Sequence, residues 1–307
     1  MPDHHQAANT NQAASAVQVR LPITSTRPRY ADAARTTGCD ATFRRRIMIA
    51  MPANERDLQA LARFQLLPRL LHDVTEVDTG LTLLGRRLGS PLLPRLPADA
   101  ALPDQGLVLV DAHRLGDDPA PWALPVLAPA KMGELMPAVR RLADSEAPAL
   151  VLDLSTSSEV PPYGSEVWRP RTREDLAELA AAAGRPVWVY GLLAPADAVV
   201  AAEAGLDAIV VHAGPGRHLA GPTVADALPD VLDAVAGMIA VYAGGRVASG
   251  IDVFRYLAIG AEAVVVETDR ALGPLEAELQ YAMRLTGCST LADIGYDVIY
   301  EPLFEDA

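Results

Sequence analysis

Eight apolar runs of strand length recur at short intervals between residues 90 and 268, and no other feature limits the fold of this chain as tightly. They are SPLLPR (90–95), LVLVD (107–111), ALPVLAP (123–129), PALVLDLS (148–155), PVWVYG (186–191), AIVVHA (208–213), IAVYAGG (239–245) and AVVVET (263–268). A strand with one wet face alternates apolar and polar residues. These runs are nearly continuous, which is what a parallel sheet covered on both faces requires.

Helical patterns separate most of the runs. Residues 172–184 begin with Thr172 and Asp175 at capping-box spacing, then place Leu176, Leu179, Ala180 and Ala183 on one face. Residues 223–235 place Val224, Leu228, Val231, Leu232 and Val235 on one face, and Ser249 with Asp252 repeats the cap before the next helix. A further helix is expected over 54–64. Strands and helices in this alternation predict an α/β fold, a (β/α)8 TIM barrel whose reactive face is the C-terminal ends of its strands. The linker LPADAALPDQG between the first two strands is too short and too rich in Pro for a full crossover helix. The barrel is therefore expected to be shortened, with its first unit reduced to a loop or a turn. Residues 1–40 are polar and aperiodic and read as a disordered tail, leaving 41–307 as a single barrel domain.

A net charge of −13 argues against nucleic acid or an anionic membrane as a partner. No apolar run approaches the roughly 18 residues of a membrane span. The first residues lack the layout of a secretion signal, so a cytoplasmic protein is expected. Cys39 and Cys288 stand far apart and fit no metal or redox spacing; no metal site is expected. The partner expected is a small-molecule substrate, with a homo-oligomer or a partner enzyme also open.

Three blocks carry a closer resemblance. FQLLPRLLHDVTEVDTGLTLLGRRLGSPLL (64–93), TREDLAELAAAAGRPVWVYGLLAPADA (172–198) and the stretch from Gly205 through DVFRYLAIGAEAV to TGCSTLADIG (286–295) resemble the FMN-dependent α-hydroxy-acid oxidases and dehydrogenases, the family of glycolate oxidase, lactate oxidase and mandelate dehydrogenase. The resemblance spans about residues 43–295. It implies FMN as cofactor and hydride removal from the α-carbon of a small hydroxy acid. It also implies a His base, an Arg for the carboxylate, a Lys beside the flavin, an Asp partner for the His and Tyr residues.

Position by position, most of that reactive set has changed. The family's His falls at Gly214, its strand-five Lys at Tyr190 and the Asp opening its strand-seven turn at Ala243. Its two Tyr fall at Phe43 and Ala128, and its strand-four Thr and Asp at Asp153 and Ser155. Lys131, the single lysine, aligns with the start of a barrel helix and replaces nothing. Arg217 is retained, as are Gly244 and Gly245. The Gly-Arg pair that holds the flavin phosphate becomes Glu267-Thr268. A carboxylate about 4 Å from a phosphate costs about 4 kcal/mol at an effective dielectric near 20, so a nearby cation, Arg246 or Arg270, would have to offset it.

The residues expected at the reactive centre are Arg217, His212, Asp153 and Tyr190, with His113 and His218 as further candidate bases. Ala98, Gly244, Gly245, Arg246 and Thr268 are expected to line the cofactor. Two readings stay open. One is a divergent FMN-dependent oxidoreductase acting on a small carboxylate-bearing, 2-hydroxy-acid-like or specialised-metabolite substrate. The other is a non-redox protein on the same scaffold, either a pseudoenzyme partner or a repurposed lyase, isomerase or cyclase.

Overall fold

A computed structural model describes residues 53–103, 106–116, 119–155, 171–214, 221–267 and 271–301. The expected disordered tail lies outside these residues, as do Phe43, Arg217, His218, Thr268 and Arg270.

The described residues begin with helix α1 (Ala53–Ala62) and a two-stranded hairpin, β1 (Leu81–Leu83) and β2 (Arg86–Leu88). The barrel strands follow as β3 (Leu92–Arg95), β4 (Val108–Asp111), β5 (Ala123–Leu127), β6 (Leu150–Asp153), β7 (Val187–Leu192), β8 (Ala208–Val211), β9 (Ala240–Gly245) and β10 (Ala263–Glu267). All eight pair in parallel, and β10 closes onto β3. Among the described residues, six α-helices pack outside: α2 (Met132–Ala143), α3 (Arg173–Ala183), α4 (Pro195–Glu203), α5 (Val224–Val235), α6 (Gly250–Ile259) and α7 (Gly273–Thr286). None of the described helices is long and apolar enough to cross a membrane.

Every barrel strand falls where an apolar run predicts one. The first connection, from β3 to β4, carries no helix among its described residues, as the short linker requires. The second is reduced as well, to a 3-10 turn at Ala112–Arg114, which the sequence reading did not anticipate. The predicted caps form: Thr172 with Asp175 and Ser249 with Asp252 each make reciprocal side-chain and backbone bonds, and Thr223 with Asp226 makes a third. Each satisfies N–H groups that the first helical turn leaves without partners.

Two apolar layers follow from the pleat. Side chains facing out meet the helices. Those facing in form a separate cluster that includes Leu93, Leu109, Val126, Val151, Trp188, Tyr190, Val210, Tyr242 and Val265. The Trp188 and Tyr242 rings pack within it, 5.0 Å apart and tilted by 60°. Leu81, Leu83, Leu84 and Leu88 of the hairpin pack against this interior cluster. Because β2 leads directly into β3, the hairpin covers the end where the strands begin and leaves the other end as the mouth.

Candidate active site at the barrel mouth

Strand side chains alternate between faces with a period of two. Two residues beyond the inward Leu93, Leu109, Val151, Val210, Tyr242 and Val265 come Arg95, Asp111, Asp153, His212, Gly244 and Glu267. The barrel interior is thus apolar until its last layer, which is charged and lies at the C-terminal mouth.

Arg95 crosses that mouth. Its Nη2 donates to Asp153 Oδ2 at 2.5 Å and lies 3.8 Å from Asp111 Oδ1. Its guanidinium carbon sits 4.6 Å from the centre of the Tyr190 ring, on the opposite side of the barrel. Burial works against the Arg95 charge, but Asp153 first, then Tyr190 and Glu267, outweigh it and hold the group above its ordinary range. Asp153 is enclosed and fully used. Besides Arg95 it accepts from the Ser155 backbone N–H at 2.7 Å and from Ser155 Oγ at 2.6 Å.

A second group meets on Glu267. The Tyr190 hydroxyl donates to Glu267 Oε1 at 2.7 Å, and His212 Nε2 lies 3.5 Å from the same oxygen, long for a hydrogen bond. The His212 and Tyr190 rings lie 4.7 Å apart at 36°. Gly214 N–H donates to His212 Nδ1 at 3.1 Å. An acceptor nitrogen carries no proton, so neutral His212 holds its proton on Nε2, facing Glu267. Burial above all, then the Glu267 charge, pushes the Tyr190 phenol well above its ordinary range, so Tyr190 acts as a donor.

A backbone irregularity sets Tyr190 in place. Strand β7 shifts register between Tyr190 and Leu192, and Gly191 takes φ +106°. A Cβ on Gly191 would stand 2.5 Å from the Ser155 amide nitrogen. Only glycine allows β7 to pass the end of β6 this closely, where Leu154 N–H donates to the Tyr190 carbonyl at 2.7 Å.

Of the residues expected from sequence, Tyr190, His212 and Asp153 come together in this mouth. Ala98 is exposed beyond β3, and His113 is exposed on the 3-10 turn after β4. Gly244 and Gly245 end β9, followed by the exposed Arg246. Arg95 and Asp111 were not singled out, although each keeps the inward parity of an apolar residue two positions earlier. Glu267 entered only as an opponent of phosphate; its carboxylate instead turns across the mouth to Tyr190.

Residues 128–301, more than half of the chain, match the model of the FMN-dependent dehydrogenases. The chain belongs to that family. Among curated relatives it is 39% identical over 151 residues to an L-lactate oxidase of Roseobacter sp. (strain GAI101), 44% of this chain and 40% of that protein. It is 38% identical over 129 residues to an L-lactate dehydrogenase of Caulobacter sp. (strain K31), 37% of this chain and 34% of that protein. The matches therefore span 40% or less of these relatives' length. Solved structures share the fold. A mandelate oxidase with 3,3-difluoro-2-hydroxy-3-phenylpropionic acid aligns with TM-score 0.60 at 24% identity, over 78% of this chain and 87% of that one. A putative lactate oxidase of Pediococcus acidilactici aligns with TM-score 0.63 at 19% identity, over 79% and 84%.

The end of β9 can be tested for an FMN phosphate. A Cβ on Gly244 would come within 2.7 Å of the Val210 side chain, so no side chain fits there, and Gly245 adds a second bare residue. Bare backbone beside the Arg246 cation suits a phosphate. Fewer amides are offered than at an open helix start. Ala248 and Ser249 N–H already donate to Asp252, and Gly250 N–H donates to Glu278. The fit rests on Gly244, Gly245 and Arg246.

Proposed function

We propose that this chain is an FMN-binding oxidoreductase acting on a small carboxylate-bearing 2-hydroxy acid, with a rebuilt set of polar groups at the mouth. Gly244, Gly245 and Arg246 would hold the flavin phosphate, and FMN when bound supplies the two-electron redox chemistry. Arg217, outside the described residues, is the proposed partner of the substrate carboxylate, because a guanidinium matches that group in two-pronged fashion. The observation that carries this reading is the approach of Tyr190 and His212, from two different strands, to the Glu267 carboxylate on a third, at the face where barrels of this type carry out chemistry. Membership of the FMN-dependent dehydrogenases and the L-lactate oxidase and dehydrogenase names of its relatives support the substrate class.

The test is anaerobic mixing of the FMN-loaded protein with a panel of 2-hydroxy acids that includes lactate and mandelate. Bleaching of the flavin by one or more of them is expected. A flavin that stays oxidised with every acid would remove the redox reading.

A second reading has its own support. The Arg95–Asp153 pair and the Tyr190–Glu267 bond form a polar layer that needs no flavin to hold together. A non-redox lyase or isomerase would use the same groups for proton transfer alone, and would leave added FMN unbound.

A further inference from the structure

By resemblance the family's general base falls at Gly214, yet removing a proton from the substrate still requires an acceptor. We propose that Glu267 is the general base of this mouth, and that Tyr190 is the residue that positions it. The inference rests on the redox reading above and deepens it.

The other candidates are already committed. Asp153 is 1% exposed in its side chain and accepts from Arg95, from Ser155 N–H and from Ser155 Oγ. His212 is 4% exposed; its Nδ1 accepts from Gly214, and its Nε2 faces Glu267 as the protonated nitrogen. Tyr190 is buried and donates its proton to Glu267. Asp111 approaches Arg95 only at 3.8 Å, and no hydrogen bond among the described residues fixes its orientation.

Glu267 differs on both counts that matter for a base. It is oriented, because Tyr190 Oη holds Oε1 at 2.7 Å and His212 stands on the same side. It is also open: the side chain is 41% exposed, and Oε2 carries no hydrogen bond to a described residue. It ends β10 two residues beyond the inward Val265, so the carboxylate lies in the mouth. Arg95, Tyr190, His212 and Asp153 are the charged and titratable groups around it.

The step balances. As the alcohol becomes a carbonyl, its O–H proton passes to Glu267 Oε2. Its C–H hydrogen leaves with the bonding electron pair to the flavin, the oxidant of the proposed function. Tyr190 keeps its proton throughout. The proton on Glu267 returns to water through the exposed edge of the carboxylate.

The experiment compares FMN-loaded wild type, Glu267→Gln, Glu267→Ala and Tyr190→Phe, using the 2-hydroxy acid that bleaches the wild type fastest. Glu267→Gln should keep the flavin spectrum and bleach about 10²–10⁴-fold more slowly, the usual effect of losing a general base. Its rate should also lose the acid limb of the wild-type pH profile. Added formate should restore part of the rate in Glu267→Ala, a response that a purely structural role would not give. Tyr190→Phe should keep the acid limb with a lower plateau. A readout without substrate is the alkaline titration of tyrosinate absorbance. The step lost in Tyr190→Phe should move to lower pH in Glu267→Gln, because the Glu267 charge helps keep the phenol protonated. Glu267→Gln bleaching at the wild-type rate, or a Tyr190 step that does not move, overturns the proposal. Wild type that retains FMN but is bleached by no acid overturns the redox reading itself.

Discussion

Tyr256, on α6, is fully buried, and its hydroxyl meets no hydrogen-bond partner among the described residues. Burial first, then the charges of Asp57, Asp252 and Asp226, push its phenol above the ordinary range, as burial does for Tyr190 and Tyr242. In the unfolded chain these tyrosines ionise near their usual value of about 10. The folded state holds them neutral, so their stabilisation is complete below that pH and is lost as pH rises through and beyond it. The urea midpoint should therefore fall steeply above about pH 10, and less steeply in Tyr256→Phe. That variant should also be as stable as wild type at pH 7 or more stable by about 1 kcal/mol, because it removes an unsatisfied buried hydroxyl. A loss of several kcal/mol would show that the hydroxyl makes a bond after all. At this scale the sequence was informative wherever a strand end carried an unusual residue: Tyr190, His212 and Asp153 could all be placed in the mouth. Arg95 went unweighed because its role depends on inward parity, which becomes visible only once Leu93 is known to face the barrel interior.

Elements were the most legible level. Apolar runs located the eight barrel strands, and spaced Thr or Ser with Asp located two helix starts, because both signals are local. Close approaches between elements left no such mark. Gly250 opens α6 where α7 crosses it, and a Cβ there would stand 2.0 Å from the Leu275 carbonyl oxygen and 2.4 Å from the Leu279 nitrogen. Gly250→Ala should cost about 1–3 kcal/mol, the range for forcing extra atoms into a packed contact, read as a lower urea midpoint. Gly191→Ala combines a positive φ with contact against Ser155 backbone and should be destabilising too. It should also disturb Tyr190, so its tyrosinate titration should shift while that of Gly250→Ala should not. Equal shifts in both would mean that the bulge does not position the ring.

For the whole molecule, the barrel could be read from the sequence because a closed parallel sheet is apolar on both faces over most of its length. The chemistry could be read only in part. The charged layer at the mouth is assembled from residues up to 172 positions apart, Arg95 and Glu267 among them, and no sequence window contains it. The central claim is that this mouth belongs to a flavoprotein. The most direct measurement is the absorption spectrum of the purified protein after gel filtration with added FMN. Flavin bands that elute with the protein, and weaken when Arg246 is changed to Ala, are the predicted result. A colourless protein peak with all the FMN in the small-molecule fraction would contradict it.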